Sequence, residues 1–158
     1  WINAGHYQHQ TGRGSMQRAR ESRVSNVYFG FDTERLLVRV DAQDGPVRER
    51  WADLSSLRLV FLEPAQFVLS VMGPARRHPL VQLFHAGVLV VESGVEAAAD
   101  WILEIALPWR SLGVGTGTAL HFCLELYQAE KLLERVPLEG TIETTVPPPE
   151  YELIMWQV

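Results

Sequence analysis

Val27-Tyr28-Phe29-Gly30-Phe31, then Asp32-Thr33-Glu34-Arg35, then Leu36-Leu37-Val38-Arg39-Val40-Asp41: the fold class is decided by how this stretch alternates. Side chains along an extended chain point to opposite faces in turn, so a period of two marks a strand with one buried face. Val27, Phe29 and Phe31 share one face of the first run. Leu36, Val38 and Val40 share one face of the second, with Arg39 and Asp41 opposite. The four polar residues between them make a turn, so the pair predicts a β-hairpin.

The same period recurs outward from this hairpin. Strands are predicted at Leu57 to Leu62, Phe67 to Met72, Leu80 to Phe84, Val88 to Val91, Ile102 to Leu107, Leu120 to Tyr127, Thr141 to Val146 and Tyr151 to Trp156. Leu57 to Leu62 is apolar at nearly every position, which predicts a central strand covered on both faces. Gly73-Pro74 and His85-Ala86-Gly87 supply turns. Pro108-Trp109-Arg110-Ser111-Leu112-Gly113 predicts one helical turn, with proline at its start and glycine as its stop. Residues 13–25 are polar and predict a loop or short helix. Roughly ten short strands with little helix predict an all-β, antiparallel β-sandwich. Residues 1–158 read as a single domain, and the start at Trp1 without Met suggests a piece of a longer chain.

Composition narrows the function. Apolar residues make up 47% and charged residues 21%, the balance of a chain with a real core. The net charge is −5 and no basic run exceeds Arg76-Arg77, which argues against nucleic acid and an acidic membrane surface as partners. No stretch approaches the ~20 apolar residues of a membrane helix. Cys123 is the single cysteine, so no internal disulfide forms; a reducing, cytoplasmic setting agrees with this without being required.

Catalytic signatures are weak. Gly113-Val114-Gly115-Thr116-Gly117 leads into a strand without lysine, unlike a phosphate loop. His6 and His9 lack further ligands at zinc spacing. Cys123 and His121 share a strand face, the arrangement of packed neighbours more than of a dyad. Asp41 and Asp44 in Asp41-Ala42-Gln43-Asp44-Gly45 form an oxygen-rich turn that suggests calcium. Glu104 and Glu125 each alternate with core residues, which predicts that both face outward on one sheet, with Arg39 beside them. A glycosidase would need such a pair. On a solvated face it reads as an ion-pair network instead. Trp51, next to Arg48-Glu49-Arg50, and Trp101 are expected to be exposed and able to stack on a sugar ring, with Arg39, Glu104, Glu125 and Tyr127 as polar partners. Trp109 and Trp156 are expected in the core.

Trp1-x-x-Ala4-Gly5-x-Tyr7 with Met16, Tyr28-Phe29-Gly30-Phe31-Asp32, Leu37-x-x-Val40-Asp41, Glu104-Ile105-Ala106-Leu107-Pro108-Trp109-x-x-Leu112-Gly113, and Glu134-Arg135-x-Pro137-x-x-Gly140 through Met155-Trp156 together resemble the C-terminal β-domain of glycoside hydrolase family 57 proteins. The Glu104 to Gly113 motif is also similar to carbohydrate-binding module family 9 and DOMON-like sandwiches. Residues 42–100 carry none of it. The resemblance implies a parent enzyme of the α-amylase or amylopullulanase type, whose catalytic residues lie on a barrel outside this sequence. It implies α-glucan or oligosaccharide and the catalytic barrel domain as partners, and calcium in some relatives. The alternatives are a purely structural sandwich and a DOMON-like ligand or heme domain, for which Met72 and His85 are the available ligands.

Overall fold

The computed structural model describes residue 1, residues 4–8 and residues 22–148. In chain order its elements are β1 (Gly5–Gln8), β2 (Val24–Phe31), β3 (Arg35–Ala42), α1 (Val47–Arg50), β4 (Ser56–Glu63), β5 (Phe67–Met72), β6 (Leu80–His85), β7 (Val88–Leu89), β8 (Glu96–Ala99), β9 (Leu103–Pro108), α2 (Trp109–Leu112), β10 (Ala119–Gln128), β11 (Lys131–Val136) and β12 (Ile142–Thr145). The strand expected at Tyr151 to Trp156, including Trp156 itself, lies outside the described residues, as do Met16 and His9.

The strands form two antiparallel sheets. One has five strands in the order β1-β2-β3-β9-β8. The other runs β11-β10-β4-β5-β6-β7, with β12 also paired to β10. The predicted β2–β3 hairpin is present and pairs Val27 with Val40 and Phe29 with Val38. Its turn is held by Asp32, whose carboxylate accepts hydrogen bonds from the Glu34 N–H at 2.9 Å and the Arg35 N–H at 2.6 Å.

The sheets close over one core. Val27, Leu36, Val38, Val40, Leu103 and Leu107 from the five-stranded sheet meet Leu57, Leu59, Leu69, Phe122, Leu124 and Leu126 from the other. Phe29 and Phe122 touch edge to face between the layers at 6.2 Å. This is a β-sandwich.

Several local expectations need correction. β4 is central but covered on one face only: Leu57, Leu59 and Phe61 are buried, whereas Leu62 is 48% exposed. Its apolar outer positions are therefore surface. β2 begins at Val24, inside the stretch read as loop. β9 begins at Leu103, so Trp101 sits in the preceding turn. α2 forms as predicted, with Pro108 just before its first residue and Gly113 ending it in the left-handed region at φ 65°. β1, β8, β11 and α1 are additions.

Candidate functional site

Residues on the outer face of the five-stranded sheet follow from register. Pairing places His6, Tyr28, Arg39, Glu104 and Ala98 in one row across β1, β2, β3, β9 and β8. The next row holds Gly30, Leu37, Ala106 and Glu96. The rings of His6 and Tyr28 stack at 4.4 Å. The Arg39 guanidinium lies over the Tyr28 ring at 5.0 Å. Tyr28 thus has both His6 and Arg39 against its ring.

Trp1 does. Its ring passes over Gly30, its Nε1–H donates to Glu104 Oε1 at 3.3 Å, and it is 40% exposed. Arg39 is fixed by Asp41, with Nε to Oδ1 at 2.7 Å and Nη2 to Oδ2 at 3.1 Å. That bond holds the Arg39 guanidinium above its ordinary basicity. The result is one exposed indole bonded to a carboxylate, with Arg39 opposite that carboxylate in the strand register. Such a cluster offers an apolar platform together with hydrogen-bond donors and acceptors.

The other expected site residues scatter. Trp51 is fully buried, and its Nε1–H donates to the Arg23 carbonyl at 3.0 Å. The charged residues before it occupy α1, and the helix end turns Trp51 inward, so local polarity gave the wrong side. Trp101 is 69% exposed, as expected, but stands in a turn where its carbonyl accepts from the Val47 N–H. Trp109 is buried, as expected.

Glu125 and Tyr127 lie on β10, on the outer face of the other sheet. Glu104 and Glu125 therefore do not share a face, contrary to expectation, because alternation gives in or out but not which sheet. Tyr127 Oη donates to Glu125 Oε2 at 2.7 Å, and Arg58 lies over the Tyr127 ring at 4.3 Å. Burial, then the Glu125 bond, pushes the Tyr127 hydroxyl up.

The metal expectations find no support in the donor geometry. Both Asp41 oxygens are taken by Arg39, and a guanidinium there repels a cation. Asp44 sits in the left-handed region at φ 58° and accepts from Gln43 Nε2 at 3.1 Å. The pair does not fit calcium. His6 bonds Asn26 through Nε2 at 2.8 Å. No group of three or more His, Cys, Asp or Glu gathers among the described residues. Met72 pairs with Leu80 and His85 with Phe67, at opposite ends of the β5–β6 hairpin, so they cannot ligate one heme. Cys123 is buried, and burial raises its thiol above the ordinary value.

Comparison of this chain with family models, curated proteins and solved structures gave no match.

Proposed function

We propose that this chain is a non-catalytic accessory β-sandwich of an α-glucan-processing enzyme of the glycoside hydrolase family 57 type, and that it meets sugar on the outer face of its five-stranded sheet. The observation that carries the reading is the Trp1 indole, exposed and held by Glu104, whose register partner is Arg39. A sugar ring presents an apolar C–H face to such an indole and hydroxyls to the flanking charges. The residues that resemble the family, Tyr28 to Asp32 and Glu104 to Gly113, lie in and beside this face. Binding on an open face is weak, with a dissociation constant on the order of 0.1–1 mM for a short oligosaccharide. Calorimetric titration with maltoheptaose tests this. Loss of heat in Trp1→Ala, with folding retained, supports the reading; an unchanged isotherm removes Trp1 from it.

A second role is favoured by the other sheet. Its outer face exposes Leu62, Met72, Leu80, Leu89 and Leu132 around a polar row of Arg135, Glu125, Arg58, Ser70 and Gln82. An apolar face of this kind suits packing against a second domain. In this reading the catalytic barrel of the parent enzyme covers it, and the domain serves structure as well as, or instead of, sugar contact. Heteronuclear NMR of the chain mixed with the separately produced barrel would place shifts at these residues if the reading holds.

A further inference from the structure

Register sets the order of side chains on the outer face of the larger sheet. Strands β11, β10, β4 and β5 lie side by side there. One row across them reads Arg135, Glu125, Arg58 and Ser70. A neighbouring row reads Leu132, Tyr127, Ser56 and Met72. Leu132 and Met72 are exposed, and β10 and β4 lie between them. Arg58 lies over the Tyr127 ring and makes no ion pair among the described residues. The two middle strands thus carry charges of opposite sign, and the two flanking strands carry exposed apolar side chains.

This order has a consequence for symmetry. A twofold axis along the strands, midway between β10 and β4, sets β10 of one copy against β4 of another, and β11 against β5. In the first row Glu125 then faces Arg58 of the second copy, and Arg58 faces its Glu125. Arg135 faces Ser70, a guanidinium opposite a hydroxyl. In the other row Leu132 faces Met72, and Tyr127 faces Ser56. No like charges meet in either row. An axis laid along β10 would set Glu125 on Glu125 and Arg58 on Arg135, and one along β4 would set Arg58 on Arg58. Like charges brought face to face disfavour both alternatives.

We propose that this face binds a second copy of the same chain, in an isologous dimer about the axis between β10 and β4. Arginine, tyrosine and methionine, which the contact uses, are the residues that interfaces favour. Four strands about 4.8 Å apart, matched over about six residues, cover roughly 400 Å² of sheet. A standard interface takes about 800 Å² from each partner. The dimer is therefore weak, with a dissociation constant on the order of 100 μM. The contact needs neither sugar nor a second domain. It lies on the sheet opposite Trp1, so it and the sugar face proposed above fail separately.

Sedimentation velocity of the chain, from about 10 μM to 1 mM, is the test. A concentration-dependent shift from monomer to dimer is expected. Arg58→Glu alone, or Glu125→Arg alone, should weaken the dimer at least about tenfold, because each sets like charges together twice. An equimolar mixture of the two variants should dimerise again. There the reversed charge at position 58 of one chain faces the reversed charge at position 125 of the other, while the natural Glu125 faces the natural Arg58. Leu132→Ser, at an exposed edge position, should also weaken the dimer and serves if a charge reversal does not fold. A monomer throughout the range would overturn the proposal and leave the face to a second domain. A dimer indifferent to both reversals would overturn the face, and a mixture that stays monomeric would overturn the axis.

Discussion

Glu104 of β9 and Glu125 of β10 stand on the outer faces of opposite sheets, each opposite an arginine in the strand register, Arg39 in one case and Arg58 in the other. The whole core lies between them. Glycosidic cleavage needs two carboxyls about 5–10 Å apart with a sugar between. Sheet backbones alone are about 10 Å apart, and outward side chains add to that. Neither carboxylate sits in a water-excluding pocket: Glu104 is exposed and Glu125 half-buried. The chain is therefore expected to release no reducing sugar from starch, glycogen or pullulan. Activity abolished by Glu104→Gln or Glu125→Gln would contradict this.

Trp51 and Trp101 should separate cleanly in stability. Trp51 fills the core and satisfies the Arg23 carbonyl. Trp51→Ala leaves a large cavity and is expected to cost about 3–5 kcal/mol, while the Arg23 carbonyl keeps its bond from the Gln43 N–H at 2.9 Å. Trp101 is mostly exposed, so Trp101→Ala should change stability by less than about 0.5 kcal/mol. Urea unfolding followed by circular dichroism reads both.

Asp32 predicts an acid dependence. Burial alone raises its carboxyl, but hydrogen bonds from the Glu34 N–H, the Arg35 guanidinium and the Arg35 N–H outweigh it and hold the value below 3.8. A group depressed on folding stabilises the native state above its unfolded value. That contribution is complete above pH 3.8 and is lost as pH falls through the lower folded value. Arg23 holds Asp53 down in the same direction. In Asp32→Asn the part due to Asp32 should vanish, and the stability curve should flatten below pH 4. Denaturant midpoints measured across that range check it.

Cys123 should be slow to react. Its side chain is buried, and burial raises its thiol despite the nearby Arg135. Only the thiolate attacks a disulfide reagent, and here it is both scarce and covered. Ellman's reagent is expected to titrate one thiol promptly in denaturant and far more slowly in the native state.

The strands that form the middle of the sandwich were legible because their inner faces are fully buried and their outer faces are not. Val27, Leu36, Val38 and Val40 show this in the hairpin. β1, β8 and β11 are edge strands, where burial is partial and the alternation fades; Glu96–Ala99 even reads as helix former. Sheet membership was not legible at all. Alternation gives identical patterns around Glu104 and Glu125, and only long-range pairing assigns them to different sheets. The indole that bonds Glu104 is Trp1, more than one hundred residues from Glu104 along the chain. No local pattern joins the two. Trp51 misled because a one-turn helix places charged residues and a buried ring side by side in sequence.

In the proposed function Trp1 is the sugar platform and the exposed Trp101 is not. Tryptophan fluorescence of the chain, followed while maltoheptaose is added, compares the parent with Trp1→Ala and Trp101→Ala. A saturable change is expected in the parent and in Trp101→Ala, and a loss of about 1–2 kcal/mol or more of binding free energy in Trp1→Ala. No saturable change at about 10 mM sugar, or full binding by Trp1→Ala, would contradict it.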